Sequence, residues 1–180
     1  GAVALDSVGS RLAVGASKNG GGGADAGHVR VYEWSGTSWE QMGADIDGET
    51  AGDWSGHEAV SLSGNGTRLA VGARYNSGGG YQAGHARVWE WSGLGWTQMG
   101  ADIDGKAADE QSSWSVSLSA DGAHLATGTA YNHSAGADGG YARVYKWSGS
   151  SWEQVGSDLS GCAVSLNADG SRLAVGACGQ

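Results

Sequence analysis

The 180-residue sequence has no proline and no phenylalanine, and only two cysteines and two methionines. Glycine, at 35 residues, has to supply the punctuation, a usage far from that of a generic globular chain. Charged residues are scarce at 16%, which excludes a charge-driven disordered segment and a coiled coil. Cationic charge is scarcest: ten Lys plus Arg stand against 19 Asp plus Glu, a formal net charge of -9. Such a surface repels phosphate backbones and anionic headgroups, so neither nucleic acid nor a membrane surface is expected as a partner. No apolar run approaches the roughly 20 residues of a membrane-spanning helix, and the chain opens at Gly1 without the basic and apolar regions of a signal peptide. It reads as soluble, and as a mature or trimmed piece. No nucleophile elbow, zinc signature or phosphate loop is found, so no enzymatic activity is expected.

What is present is repetition. Arg11-Leu-Ala-Val-Gly-Ala returns at Arg68 and Arg172, and as His124-Leu-Ala-Thr-Gly-Thr, which places the leucines at 12, 69, 125 and 173. A second marker, Arg30-Val-Tyr-Glu-Trp-Ser-Gly, returns at Arg87 and Arg143 with Trp34, Trp91 and Trp147 spaced by 57 and 56. Each unit holds four short β-type runs, in the second unit 60–63, 69–73, 85–91 and 96–100, and helical periodicity is absent. Gly, Asn-Gly or Asp-Gly between the first two runs supplies the positive φ of a tight hairpin, and Ser-Gly-x-x joins the last two. A long glycine-rich loop (17–27, 74–84, 130–140) separates the second and third runs and must project.

Four antiparallel strands repeated every 57 or so residues describe the blades of an all-β propeller, with a β-solenoid or a sandwich as the alternative arrangements. Side-chain size favours the propeller. Blades are wedges, so inner strands need the small Leu-Ala-Val-Gly-Ala run and outer strands have room for tryptophan. The expected blades run from about 2 to 48, 59 to 105 and 114 to 161, with a half blade from 162 to 178. About three and a half blades fall short of the typical four to eight, so further chain or another copy is expected to cover the open edges.

These strands resemble the FG-GAP repeat family, the blade motif of integrin α-subunit heads and of secreted repeat proteins of algae, oomycetes and marine bacteria. The residues that carry the resemblance are the Leu-Ala-Val-Gly-Ala strands at 12–16, 69–73 and 173–177, the glycine-rich loop, and the Arg-Val-Tyr or Arg-Val-Trp strand after it. Two features depart from the family. Its proline after Gly-Ala is replaced by Ser17, Arg74, Ala130 and Cys178, and its Asp-rich calcium loop is reduced to four-residue turns, so integrin-type calcium binding is not implied. What the resemblance implies is an extracellular, non-enzymatic module.

Acidic pairs follow the fourth run: Asp45 and Asp47 with Asp53 nearby, and Asp102 and Asp104 with Asp109. Alternate oxygen ligands around a glycine suit calcium, but no copy supplies the six or so ligands of a closed site, and solvated inter-blade turns are the preferred reading. No cofactor is expected. The tryptophans hold repeat-equivalent positions and are expected in blade packing. The loop aromatics Tyr75, Tyr81, Tyr131 and Tyr141, with Asn76 and Asn132, are the candidates for ligand contact, an aromatic face being complementary to a sugar ring. The repeated arginines are expected to pair with turn carboxylates or carbonyls.

Asn65-Gly-Thr67 and Asn132-His-Ser134 are glycosylation sequons. Cys162 and Cys178 flank one hairpin, at opposite or nearly opposite positions, and a disulfide between them is expected. Together these features favour a secreted assembly or adhesion module whose partners are further blades of its own kind, extracellular proteins or glycans. A glycan-binding propeller lectin is the alternative.

Overall fold

The computed structural model describes residues 1–129 and 140–177, and among these it contains sixteen strands and no helix. The first unit is an antiparallel meander of β1 (Val3–Leu5), β2 (Arg11–Ala16), β3 (His28–Trp34) and β4 (Trp39–Gln41). A two-residue strand, β5 (Ile46–Asp47), also pairs with β3. The second unit repeats this order with β6 (Val60–Leu62), β7 (Arg68–Ala73), β8 (His85–Trp91), β9 (Trp96–Gln98) and β10 (Ile103–Asp104). In the third, β11 (Ser115–Leu118), β12 (His124–Gly128) and β13 (Tyr141–Trp147) are followed by one unbroken outer strand, β14 (Trp152–Ser160). A hairpin of β15 (Ala163–Leu166) and β16 (Leu173–Gly176) ends the described chain. The fold is a partial β-propeller.

The short outer strands β5 and β10 are an addition to the four runs read from the sequence. They extend the outer edge toward the end of the blade that carries the long loops. Two residues are too few for a periodicity signal, which is why only the structure shows them.

The hydrophobic cores lie between blades, not within them. One joins Ala13, Val29, Val31 and Met42 of the first unit to Val60, Leu62, Leu69 and Val71 of the second. The other joins Ala70, Val88 and Met99 to Val116, Leu118, Leu125 and Tyr145 of the third. A single unit therefore has nothing to bury its faces against. The first blade shows the cost, with Val3, Leu5, Trp34 and Trp39 exposed on its open side.

The repeated glycine of Leu-Ala-Val-Gly-Ala answers to this packing. A Cβ on Gly72 would run into the carbonyl oxygen of Ser113, where the chain enters the next unit, and Gly15 and Gly128 meet Gly56 and Cys162 in the same way. Only a residue without a side chain lets the next blade come this close.

Polar keys repeat at the same joints. Arg11 pairs with Glu33 at 2.8 Å across its own sheet, and its Nη1 donates to the carbonyl of Asn65 in the next unit. Arg68 does the same with Glu90 and with the carbonyls of Asp121 and Gly122, as expected from the sequence. On the outer strands each blade holds a tilted tryptophan pair, Trp34 with Trp39, Trp91 with Trp96 and Trp147 with Trp152. These rings pack the joints: Trp91 and Trp96 lie against Gly43, and Trp147 against Gly100.

Candidate functional site

Because successive strands run in opposite directions, the second-to-third-strand loops and the connectors between blades emerge at one end of the blades. The tight hairpins emerge at the other. At the loop end each connector braces the loop before it: Trp54 N–H donates to the Asp25 carbonyl at 3.2 Å, and Gln111 N–H to that of Gln82 at 3.0 Å. The same four residues carry left-handed backbone, with φ of 55°, 55°, 48° and 50° for Asp25, Trp54, Gln82 and Gln111. Such conformations cost a non-glycine residue about 1–2 kcal/mol each and persist only where the surroundings impose them. Residue 82 lies 57 positions after 25, and 111 lies 57 after 54, so the strain is itself a repeat feature.

Between these braces lies an open groove of about 560 Å³, with Trp54, Tyr75, Ser77, Tyr81, Gln82 and Gln111 in its walls. Trp54 and Tyr75 meet edge to face at 5.1 Å. Arg74 stiffens them from beneath: its guanidinium lies 4.6 Å from the Tyr75 ring and 4.3 Å from that of Trp114, and it pairs with Glu58 at 2.8 Å. Tyr81 stands out at 66% exposure, with the Gln82 amide 3.3 Å from its hydroxyl. Among the described residues the walls carry aromatic faces, amides and hydroxyls and no carboxylate or imidazole. Such a surface can stack and hydrogen-bond a ligand.

Of the loop residues singled out in the sequence, Tyr75 and Tyr81 reach this groove. Asn76 does not. It is 2% exposed, its amide donates to Asp53 at 3.0 Å, and its side-chain oxygen accepts from Gly78 N–H at 2.7 Å. It holds the loop onto the preceding connector, a partner 23 residues away that local sequence could not reveal. Tyr141 is corrected likewise. It is buried at the start of β13, its ring 4.1 Å from the Arg143 guanidinium. Tyr131 and Asn132 lie outside the described residues. Sequence reasoning missed Trp54, Gln82 and Gln111; the signal available was the connector insertion that carries Trp54.

The aspartates have separate fates. Asp45 accepts two hydrogen bonds from Arg30, at 2.8 and 2.7 Å, and one from Gln41. The guanidinium beside it holds its carboxyl down at about 2. Asp53 is buried, not in a solvated turn, and accepts from Thr50 N–H and hydroxyl at 2.9 and 2.6 Å as well as from Asn76. Asp102 accepts from Gln98, burial and the neighbouring Asp102 charge raise Asp104, and Asp109 has left-handed backbone with its N–H on the Tyr81 carbonyl. Among the described residues no three acidic side chains gather without a histidine. The two groups that gather each contain a histidine: His28 with Asp45 and Asp47, and His85 with Glu49 and Asp102.

Asn65 is exposed in the β6–β7 turn, where its side-chain oxygen accepts from Thr67 N–H and hydroxyl at 3.0 and 2.7 Å. Asp121 and Asp169 accept from the backbone N–H two residues on in the same way, one and two units later. Cys162 is not a free thiol; Cys178, its expected partner, lies outside the described residues. The register pairs Ala163 with Gly176, so that continuing it sets Cys162 opposite Ala177, one position from Cys178.

No family model matches the chain, and no curated protein matches it. Solved structures do. KlAtg21 in complex with the coiled-coil of AgAtg16 is similar over 93% of this chain and 46% of its own, at 17% identity and a TM-score of 0.59. The β-propeller domain of Myceliophteria thermophila Cps50 (Swd1) is similar over 98% and 49%, at 14% identity and 0.53. A protein of Bacteroides uniformis described as a 6-phosphogluconolactonase is similar over 88% and 39%, at 14% identity and 0.56. At these identities the likeness is one of fold: a β-propeller. The chain spans less than half the length of each of these neighbours.

Proposed function

We propose that this chain is part of an extracellular, non-enzymatic β-propeller of the FG-GAP-like type, an assembly and adhesion module that meets its partner through the loop-end groove. The observation that carries this reading is the groove itself: exposed Tyr81 and the Trp54–Tyr75 pair, fixed by strained, repeat-braced backbone and free of acid–base side chains in its walls. Its neighbour KlAtg21, seen bound to a coiled coil, is an example of a similar fold engaging a protein. The open side of the first blade, with Trp34 and Trp39, supports further blades of the same kind as partners. Beads coated with the chain should adhere to one another or to extracellular matrix, and Tyr81→Ala should abolish this; no adhesion by the unmodified chain overturns the reading.

A second reading, a propeller lectin, is favoured by one feature, the exposed Tyr81 face flanked by the amides of Gln82 and Gln111. A glycan array separates the two. A lectin shows saturable sugar binding that Tyr81→Ala or Tyr75→Ala removes, whereas the assembly module shows none.

Secretion is supported by the Cys162–Cys178 pair and the exposed Asn65 sequon. Mass spectrometry of protein from its native source should find the cysteines bridged. Two alkylatable thiols would overturn both the bridge and the extracellular assignment.

A further inference from the structure

At the joint between the second and third blades, Arg143 lies between two carboxylates, 2.7 Å from Glu110 and 3.0 Å from Asp158. One unit earlier the equivalent Arg87 is drawn elsewhere. Its Nη2 donates to the Asp47 carbonyl at 2.7 Å, and its nearest carboxylate is Glu49, at 3.4 Å. Asp102, the counterpart of Asp158, is left with the Gln98 amide on Oδ1, while its Oδ2 faces His85 Nδ1 at 3.7 Å. Glu49 Oε2 faces the same nitrogen at 3.8 Å. Both separations exceed a hydrogen bond. His85 Nδ1 is thus buried without a partner on a side chain that is 1% exposed, aimed at two carboxylates. An imidazole nitrogen that carries no proton has a lone pair to offer a cation.

We propose that His85 Nδ1, Glu49 and Asp102 form a divalent transition-metal site of the zinc class at the joint between the first and second blades.

The donor atoms all lie within 4.8 Å of one another, so small side-chain rotations bring them onto a coordination sphere of about 2.0–2.2 Å radius. One imidazole nitrogen and two carboxylate oxygens suit a zinc-like ion with water in the fourth position, whereas calcium takes an oxygen-only shell of six to eight ligands. Glu49 and Asp102 are partly exposed, which gives the ion a path in, and the Asn76 amide lies 3.4 Å from Glu49 Oε2, where it orients the ligand. The similar group in the first unit is already closed by a cation, since Arg30 holds both oxygens of Asp45. Among the described residues one ion is therefore expected.

The test is titration of the full chain with Co²⁺ followed by visible absorption, with Zn²⁺ as competitor and Ca²⁺ as control. The expected result is saturation at one equivalent, displacement by Zn²⁺, and no displacement by Ca²⁺. Glu49→Gln, at a partly exposed position where folding is retained by circular dichroism, should weaken binding at least about tenfold, as should Asp102→Asn. Asp47→Asn should leave it unchanged. No saturable binding, binding unaltered by Glu49→Gln, or preference for Ca²⁺ would overturn the proposal.

Discussion

The indole Nε1 of Trp96 donates to the carbonyl of Met42 at 2.8 Å, across the joint between the first and second blades. Trp152 repeats the bond to Met99 at 3.0 Å one joint later. Each outer-strand tryptophan therefore fastens its blade to the blade before it. Trp39 has no preceding blade among the described residues and is 41% exposed.

Trp96→Phe and Trp152→Phe should each cost about 1–3 kcal/mol, because the carbonyl loses its donor and the joint loses packing. Trp39→Phe should stay within about 0.5 kcal/mol in the isolated chain. Urea denaturation of the three variants checks the contrast, and equal losses in all three would remove the stapling role.

Gly72→Ala should destabilise by about 1–3 kcal/mol or more, since its Cβ would meet the Ser113 carbonyl and the Ala59 side chain. At Gly36, with φ of 99° and open space around it, alanine carries only the strain of a left-handed backbone, about 1–2 kcal/mol. Crystallography of the Gly72 variant should show the second and third blades pushed apart, and an unshifted joint would refute the close-approach account.

Arg143 and Glu110 are 2% and 3% exposed, a buried pair at the joint between the second and third blades. Removing one partner strands the other's charge, so Arg143→Met should cost about 3–5 kcal/mol. The double change Arg143→Met with Glu110→Gln should recover part of this. A double-mutant cycle with no coupling would mean that the pair does not act as a unit.

Acid should loosen the first unit. Asp45 sits at about 2 when folded, below the usual carboxylate value of 3.8, so its contribution is present above about pH 4 and is lost as pH falls toward 2. The Arg30–Asp45 pair is largely exposed, so solvent screening keeps the effect small. Asp45→Asn should flatten the stability–pH curve in that window, and an unchanged slope would count against the pairing.

The strands were legible in the sequence because each run recurs at the same offset, so that the Leu12, Leu69 and Leu125 positions reinforce one another. The hairpin turns were legible from Asn-Gly and Asp-Gly. What was not legible depends on contacts between units. Asn76 reads as a loop-surface residue until Asp53 is seen behind it. Trp54 and Gln111 share one backbone conformation and no chemistry, so no motif marks the groove. The likeness of Asp45 and Asp102 to calcium ligands is local, whereas the groups that gather around them are brought there by His28 and His85 from strands β3 and β8.

Arg11 reaches into the turn of the unit after it, Arg68 into the turn after that, and the tryptophans reach back by one. The first two joints thus have a front and a back, and the same contacts join the first unit to the second and the second to the third. A gene encoding such units can gain or lose one by unequal recombination without a new interface having to evolve, because each deletion or insertion recreates a joint already present. Blade number should therefore drift more freely than joint chemistry, and the residues that differ between joints, such as Arg87 beside Arg143, mark where single units have taken on separate tasks.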